Sequence, residues 1–290
     1  MRIQFLTRCV ADRLEHPLVV ASRKKGHQVE VIDVGQFVLC TGEKPILYQG
    51  TPWKPVDLVY PFWAKRDSFM PLLLLSMREQ GQKVYKPLYR EIPDKLSAAV
   101  LFQAAGLPTP TTYSSSTFSG ISSVFDKLSW PVILKIAQSA KGEGVFMINS
   151  LEVLSREVKR LCEEGCDYVI QECVYPLGRD VRAFVLDGRI YAAMERLAPA
   201  GEFRANIARG AVGREIRLTK EESTLVLRAC ALFDLPMAGV DFIRTDRGPL
   251  LLEVNREPGY AGLRAATGKD AASAVVDHFS SYVDSSILVK

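Results

Sequence analysis

Histidine is scarce in this chain of 290 residues: only His16, His27 and His278 occur. None lies within helical reach of another, so neither a His-based zinc site nor a histidine relay is expected. Six cysteines are present (Cys9, Cys40, Cys162, Cys166, Cys173 and Cys230) but no Cys-x-x-Cys. Cys162 and Cys166 stand four apart in a helix-like stretch, and no second pair answers them. Buried or idle thiols in a reducing compartment are the expectation. Long apolar runs are missing too. Pro71–Leu75 falls far short of the ~20 residues of a membrane span. The start, Met-Arg-Ile-Gln-Phe-Leu-Thr-Arg, has no signal-peptide core. A soluble, cytoplasmic protein with no membrane partner is expected. Nor is there an excess of one charge: 37 basic and 33 acidic residues leave +4. That is too mild for a nucleic-acid coat, and no direct nucleic-acid binding is expected. What remains is ordinary globular usage, 48% hydrophobic and 24% charged. The length suggests about two domains.

The first ninety residues alternate strand and helix signals. Ile3–Leu6, Val29–Val34, Leu58–Tyr60 and Lys83–Tyr85 read as strands. Leu18–Lys25 and Met70–Gln80 read as helices stopped by Gly26 and Gly81. This spacing predicts a small parallel α/β unit. No Gly-x-Gly-x-x-Gly follows the first strand, so a dinucleotide site is unsupported. Around residue 93 the character changes. Asp94 can cap a helix over Lys95–Ala105, and Pro108 and Pro110 then hold the chain extended. Strands are predicted at Trp130–Ile136, Val145–Ile148 and Tyr168–Glu172, with a helix over Leu151–Glu164. Asp187-Gly188 is a two-residue hairpin signal between Asp180–Leu186 and Arg189–Arg196. A second hairpin pairs Ala238–Thr245 with Pro249–Val254 around Asp246-Arg247-Gly248. Helices are expected over Lys220–Phe233 and Lys269–Val283.

The second hairpin carries the most chemistry. Asp241 lies six residues before Arg247 and Glu253 six after, so a symmetric hairpin sets them face to face. Opposed like charges destabilise a sheet. Asn255 shares the face of Glu253. Two carboxylates and an amide oxygen form a hard-oxygen set suited to Mg²⁺ bridging to a phosphate. Alternatively, one carboxylate points to solvent and the other to a lysine. Lys135 ends a buried-looking strand and needs a charge partner or a ligand. Lys141-Gly142-Glu143-Gly144 is either a plain turn or a flap whose N–H groups close over phosphates. Gly262–Lys269 fails as a P-loop: one residue too many separates its glycines, and Asp270 stands where Ser or Thr should be. Residues 161–219 contain no lysine, yet Arg179, Arg182, Arg189, Arg196, Arg204, Arg209, Arg214 and Arg217 fall there. Arginine favours forked hydrogen bonds to carboxylate or phosphate. Several should converge on one side of the sheet, although a solvated strand edge would explain any one of them. Asp180 and Arg182 share a face, as do Arg204 and Asn206 if that segment is extended.

Lys95, Lys135, Gly142-x-Gly144, Gln171-Glu172, Asp180-x-Arg182, Gly201-Glu202-Phe203-Arg204-Ala205-Asn206, Ala238-Gly239-Val240-Asp241 and Glu253-Val254-Asn255 occur in that order. So ordered, residues 88–283 resemble the ATP-grasp superfamily and, within it, RimK-type ligases, whose founding member adds glutamate to a ribosomal protein. The resemblance implies an α/β (α+β) chain: a pre-ATP-grasp, Rossmann-like unit at 1–93, a lid subdomain at 94–174, and a Mg²⁺ and substrate subdomain at 175–290. It further implies that Lys95 and Lys135 contact the nucleotide phosphates, that the Gly142-Glu143-Gly144 turn is a mobile flap, and that Lys141, Gly142, Gly144 and Arg182 also belong to the nucleotide site. Gln171, Glu172, Cys173 and Val174 would hold the adenine, and Asp180 the ribose. Asp241, Glu253 and Asn255 would bind two Mg²⁺ ions, with Mn²⁺ as an alternative. Arg204 and Asn206, with Lys135, would steady the transferring phosphoryl group. The implied reaction joins a carboxylate donor to an amine acceptor, small molecule or peptide, through an acyl phosphate. Relatives form homodimers or homotetramers. A small-molecule phosphotransferase and a non-catalytic nucleotide-binding regulator are the alternatives. The chain departs from the family after Asn255, where Arg256-Glu257 replaces two small residues before Pro258-Gly259. An acidic residue often found near Arg264 is also missing. Either Arg256 or Arg264 binds a substrate carboxylate in a changed pocket, or Arg256 and Glu257 pair at the surface.

Overall fold

The computed structural model describes residues 1–40, 46–62, 67–85, 95–136 and 144–285. Elements are numbered in chain order. The chain divides into two compact units, residues 1–90 with 270–290, and residues 91–269. In the first, β1 (Arg2–Thr7) buries Ile3, Phe5 and Leu6. α1 (Pro17–Lys24) begins with proline at its first turn, and His16 Nδ1 accepts from Leu18 N–H at 3.3 Å. β2 (Gln28–Asp33) follows. Then β3 (Phe37–Leu39), β4 (Ile46–Tyr48) and β5 (Thr51–Pro52) form a small antiparallel sheet that the sequence did not announce. β6 (Leu58–Pro61) joins β1 and β2 in a parallel sheet of order β2-β1-β6. α2 (Phe69–Glu79) buries Met70, Leu73, Leu74 and Met77, spaced for one helical face. The strand expected at Lys83–Tyr85 is reduced to a single parallel bridge, Val59 to Val84.

The second unit opens with α3 (Lys95–Ala104), released at Gly106, whose φ of +64° suits glycine. Asp94, the expected cap, lies outside the described residues. β7 (Thr112–Tyr113) and α4 (Phe118–Ser122) come next; Thr117 caps α4, so the Ser/Thr-rich stretch serves as a helix start. β8 (Val132–Ile136), β9 (Val145–Ile148), α5 (Leu151–Glu163) and β10 (Tyr168–Glu172) complete an antiparallel sheet of order β7-β10-β8-β9. α5 covers it with Leu154, Val158 and Leu161. β11 (Arg179–Leu186) and β12 (Arg189–Leu197) turn at Asp187 and Gly188, with φ of +49° and +65°, the twist a two-residue hairpin needs. After β13 (Val212–Glu215), α6 (Lys220–Ala231), β14 (Met237–Thr245), β15 (Gly248–Asn255) and α7 (Tyr260–Thr267), the larger antiparallel sheet has order β13-β12-β11-β14-β15. Val181, Ala183 and Val185 of β11 and Ala238, Val240 and Phe242 of β14 pack on Leu225, Val226 and Ala229 of α6. Side chains alternate along a strand, so the opposite face of β11 carries Asp180 and Arg182.

α8 (Ala271–Asp284) belongs to the first unit. Its Asp277 pairs with Lys25 at 2.6 Å, and Tyr282 Oη donates to the Val84 carbonyl at 2.8 Å. The 175–290 division drawn from the sequence runs on without break across this change of unit. Among the described residues no helix is long and apolar enough to cross a membrane.

Candidate active site

The site is built on the free face of the five-stranded sheet by the register of two hairpins. The second hairpin turns in two residues, pairing Thr245 with Gly248 and Phe242 with Leu251. Continued regularly, that register would set Asp241 against Leu252. A bulge at Leu252 adds one residue, and Asp241 pairs with Glu253 instead. The expected pairing is therefore present, but with a shorter turn plus a bulge rather than a symmetric three-residue turn. The bulge also lets Leu251 and Val254 both stay in the core while Glu253 and Asn255 reach the other face. The first hairpin repeats the device. Leu186 pairs with Arg189 and Val185 with Ile190, then Tyr191 is skipped and Asp180 meets Arg196.

The two carboxylates do not divide between solvent and a lysine. Arg182 grips Asp241 with both prongs, Nε to Oδ1 at 2.7 Å and Nη2 to Oδ2 at 2.6 Å. Arg196 Nη2 adds 2.8 Å to Oδ2, and its fork holds Asp180 at 2.6 Å twice. Burial pushes Asp241 up, but the two guanidiniums win and hold it at about 2. Asp180 is pushed up to about 6 by burial, against the pull of Arg196. Burial and the like charge of Asp241 raise Glu253, with Arg182 opposing from 3.6 Å. Asn255 Nδ2 donates to Glu253 Oε1 at 3.3 Å, which leaves the amide oxygen for another partner.

The four-stranded sheet and α3 supply the cations. Lys135 Nζ donates to Gln171 Oε1 at 2.5 Å, and Gln171 Nε2 donates to Thr112 Oγ1 at 3.0 Å. Burial brings Lys135 down to about 8, although Glu253 favours its charge. Lys95 Nζ donates to the Ile136 carbonyl at 3.0 Å. Lys135 feels Lys95, Glu253, Asp180 and Asp241 together. Lys135 of the four-stranded sheet, Lys95 of α3 and the carboxylates of the five-stranded sheet thus share one electrostatic neighbourhood. Glu172 accepts from Thr111 N–H at 3.1 Å and pairs with Arg247. Cys173 is half-buried and Val174 buried beside it. Gly144 accepts from Ile136 N–H at 2.8 Å. Lys141 and Gly142 lie outside the described residues.

Three sequence expectations change. The segment of Arg204 and Asn206 is a loop with a short helical turn at Ile207–Arg209, so strand alternation does not pair their faces. Glu202 holds the Arg204 fork at 2.8 and 2.7 Å, and also takes Arg209 at 3.2 Å. Arg204 Nη1 further reaches the Val145 carbonyl at 3.3 Å. The arginines do not gather on one side. Arg182 and Arg196 meet at Asp241, Arg179 and Arg214 turn to buried Glu195, and Arg189 and Arg217 are exposed. Arg256 is buried at 7% exposure while Arg264 is exposed, so a surface swap does not describe Arg256. Sequence reasoning missed what Arg196 and Glu202 do. Both stood inside the quoted motifs or the arginine run, yet no spacing rule gave either a partner. A surface groove of about 630 Å³ lined by Ile190, Tyr191, Ile216, Arg217 and Lys269 shares no residue with this constellation.

The donor set fits Mg²⁺. Among the described residues no three His, Cys, Asp or Glu gather as a closed cage. Magnesium takes one or two carboxylates and completes its shell with phosphate and water. Glu253, raised by burial and then by its acidic neighbour Asp241, is the kind of carboxylate a cation would relieve.

Comparison with known proteins gives first the class. The fold matches that of the ATP-grasp ligase PsnB, solved with a phosphomimetic variant of its minimal precursor, Mg and ADP. The TM-score is 0.75 at 19% identity, over 97% of this chain and 98% of that one. At that identity the likeness carries the fold, an ATP-grasp fold. The RimK-like ATP-grasp domain then matches residues 92–279. A probable alpha-L-glutamate ligase of Methanococcoides burtonii is 31% identical over 96% of this chain and 95% of that protein. Its counterpart in Aliivibrio salmonicida is 32% identical over 96% and 94%. The chain belongs to the RimK-like ATP-grasp family and is an enzyme of the ligase class.

Proposed function

We propose that this chain is an ATP- and Mg²⁺-dependent carboxylate–amine ligase that joins an amino acid, glutamate first among the candidates, to the carboxylate of a peptide or small molecule. The observation that carries this is the Asp241–Glu253 pair, set in register beside Asn255 and felt electrostatically by Lys135. The names of the relatives at 31% and 32% identity support glutamate as the amine.

A carboxylate is a poor electrophile, and phosphorylation supplies its leaving group. The substrate carboxylate oxygen forms a bond to the γ-phosphorus while the bond to ADP breaks. The amine nitrogen then forms the C–N bond, phosphate leaves with the C–O electrons, and the amine proton is released. The protein's part is to position and to stabilise charge. Lys95 and Lys135 bind the phosphates, Gln171 orients Lys135, and Glu172 with the Cys173–Val174 backbone borders the adenine. Asp241, Glu253 and Asn255 would hold the metal, which would supply charge neutralisation for the transferring phosphoryl group. Arg204, aimed by Glu202, and Asn206 stabilise the transferring phosphoryl group. Buried Arg256, directly after Asn255, contributes to the acceptor pocket.

The test measures ADP release with single amino acids, with peptides, and with both, followed by mass spectrometry of the product. ADP release that requires both, with an amide product, is expected. Release without an amine would point to phosphotransfer, and nucleotide binding without release to a regulator.

A further inference from the structure

We propose that Arg209 binds the α-carboxylate of the amino-acid substrate and so helps set which amine the enzyme accepts. This deepens the ligase reading and rests on it.

Glu202 has no acceptor site to spare. Each carboxylate oxygen has about two lone-pair sites. Oε1 accepts from the backbone N–H of Arg204 at 3.0 Å and from Arg204 Nε at 2.8 Å. Oε2 accepts from Arg204 Nη2 at 2.7 Å and from Arg209 Nε at 3.2 Å. The Arg204 side chain, against burial, holds Glu202 down to about 2, so it stays ionised. Two guanidiniums on one carboxylate leave one positive charge over. Among the described residues, Arg209 keeps both terminal Nη groups without a protein acceptor, on a side chain 31% exposed. Paired N–H groups of that kind match a carboxylate.

The backbone ties Arg209 to both sides of the reaction. Its N–H donates to the Asn206 carbonyl at 2.9 Å, as does that of Ala211 at 3.3 Å, and Gly210 closes the turn at a φ of +88°. Ile207, in the same turn, lies so near α7 that a Cβ on Gly262 would meet its Cγ1 at 2.9 Å. α7 starts directly after the loop 256–259. The turn therefore joins Asn206, on the phosphoryl side, to the helix that follows that loop. An incoming amino acid brings its carboxylate close to an anionic acyl phosphate, and like charges repel. A cation not engaged with phosphate offsets that repulsion. Lys95, Lys135 and Arg204 are given to phosphate, Arg182 and Arg196 to Asp241, and Arg179 and Arg214 to Glu195. Arg209 is the cation of this turn that is not so committed.

The test compares wild type, Arg209→Gln and Arg209→Lys. ADP release is measured with the peptide substrate found in the screen above and either L-glutamate or its α-amide; circular dichroism reads the fold. Arg209→Gln should raise KM for glutamate about 10–100-fold, the range for a hydrogen bond between charged groups. Its kcat at saturation and its KM for ATP should change little. Arg209→Lys keeps the charge without the fork and should fall between. Wild type should prefer glutamate to the α-amide, and Arg209→Gln should lose that preference, which a merely structural role would not move. Should Arg209→Gln fail to fold, Arg209→Lys decides by the same comparison: a reduced preference supports the proposal and a retained one overturns it. A wild type indifferent to the α-amide, or a variant with unchanged preference, would overturn it. So would a fall in kcat alone, which points to the phosphoryl group, or a raised KM for ATP or the peptide alone. Absence of ADP release from wild type with every amino acid and peptide would instead refute the ligase reading itself.

Discussion

Lys135 shows how burial and charge compete at one residue. Desolvation lowers its pKa to about 8, outweighing the attraction of Glu253. The ammonium is present below that value and lost above it. A neutral lysine cannot pair with phosphate, so kcat/KM for ATP, which reports the free enzyme, should fall with an apparent pKa near 8. A flat profile to pH 10 would remove Lys135 from phosphate binding. Arg204 is a different case, because Glu202 holds its fork ready at 2.8 and 2.7 Å. Loss of a charge-stabilising donor costs roughly 10²–10³ in rate. Arg204→Ala should lose that much turnover while its Kd for ATP stays put. Near wild-type turnover would sink the role.

The element that matters most is the β14–β15 hairpin. Gly239 pairs with Asn255, and a Cβ there would meet Pro258 Cβ at 2.8 Å. The turn after Asn255 closes onto the strand only because that side chain is missing. Gly239→Ala should therefore cost about 1–3 kcal/mol, the usual range for overpacking, and weaken metal binding by displacing Asn255. Chemical denaturation and Mn²⁺ binding measure the two effects. At α2 the start of the helix is at stake. Asp67 accepts from Phe69 and Met70 N–H at 3.0 Å each and pairs with Arg8 at 2.8 Å. The Arg8 hydrogen bond, opposed by burial, lowers the Asp67 pKa. Its stabilisation is complete above the unfolded value of about 3.9 and disappears as pH falls through the lower folded one. Asp67→Ala should cost about 1–2 kcal/mol at pH 7. Melting curves should show that gap closing at the acid end, and a gap that widens in acid would contradict the assignment.

At the scale of the molecule, the return of α8 to the first unit is the decisive contact. Val275, Val276 and Phe279 are fully buried there, and Phe279 stacks edge-on to Tyr85 at 4.7 Å. Each such side chain contributes roughly 1.5–3 kcal/mol. A chain ending at residue 269 should therefore lose the cooperative unfolding of its first unit while residues 91–269 still melt as a unit. Hydrogen exchange resolved by segment would show it; unchanged protection over residues 1–40 would not fit.

Local pattern was enough to read much of this protein. Strand pattern and turn residues gave β10 and the two long hairpins, glycine gave the stops after α1 and α2, and the order of lysines, carboxylates and Asn255 gave the family. Those signals depend on near neighbours in the chain, where steric and burial rules act directly. The short strands β3, β4, β5, β7 and β13 were not legible, since their pairing depends on partners rather than on pattern. Nor were the site's decisive contacts. The bulges at Leu252 and Tyr191 each add one residue to one strand, and that addition decides which side chain faces the site. Only the assembled sheet brings Arg196 across β11 to Asp241, because a side chain spanning two strands meets a residue 45 positions away. Scarce histidine left the chemistry to arginine, lysine and carboxylate; which arginine holds which carboxylate was decided in three dimensions.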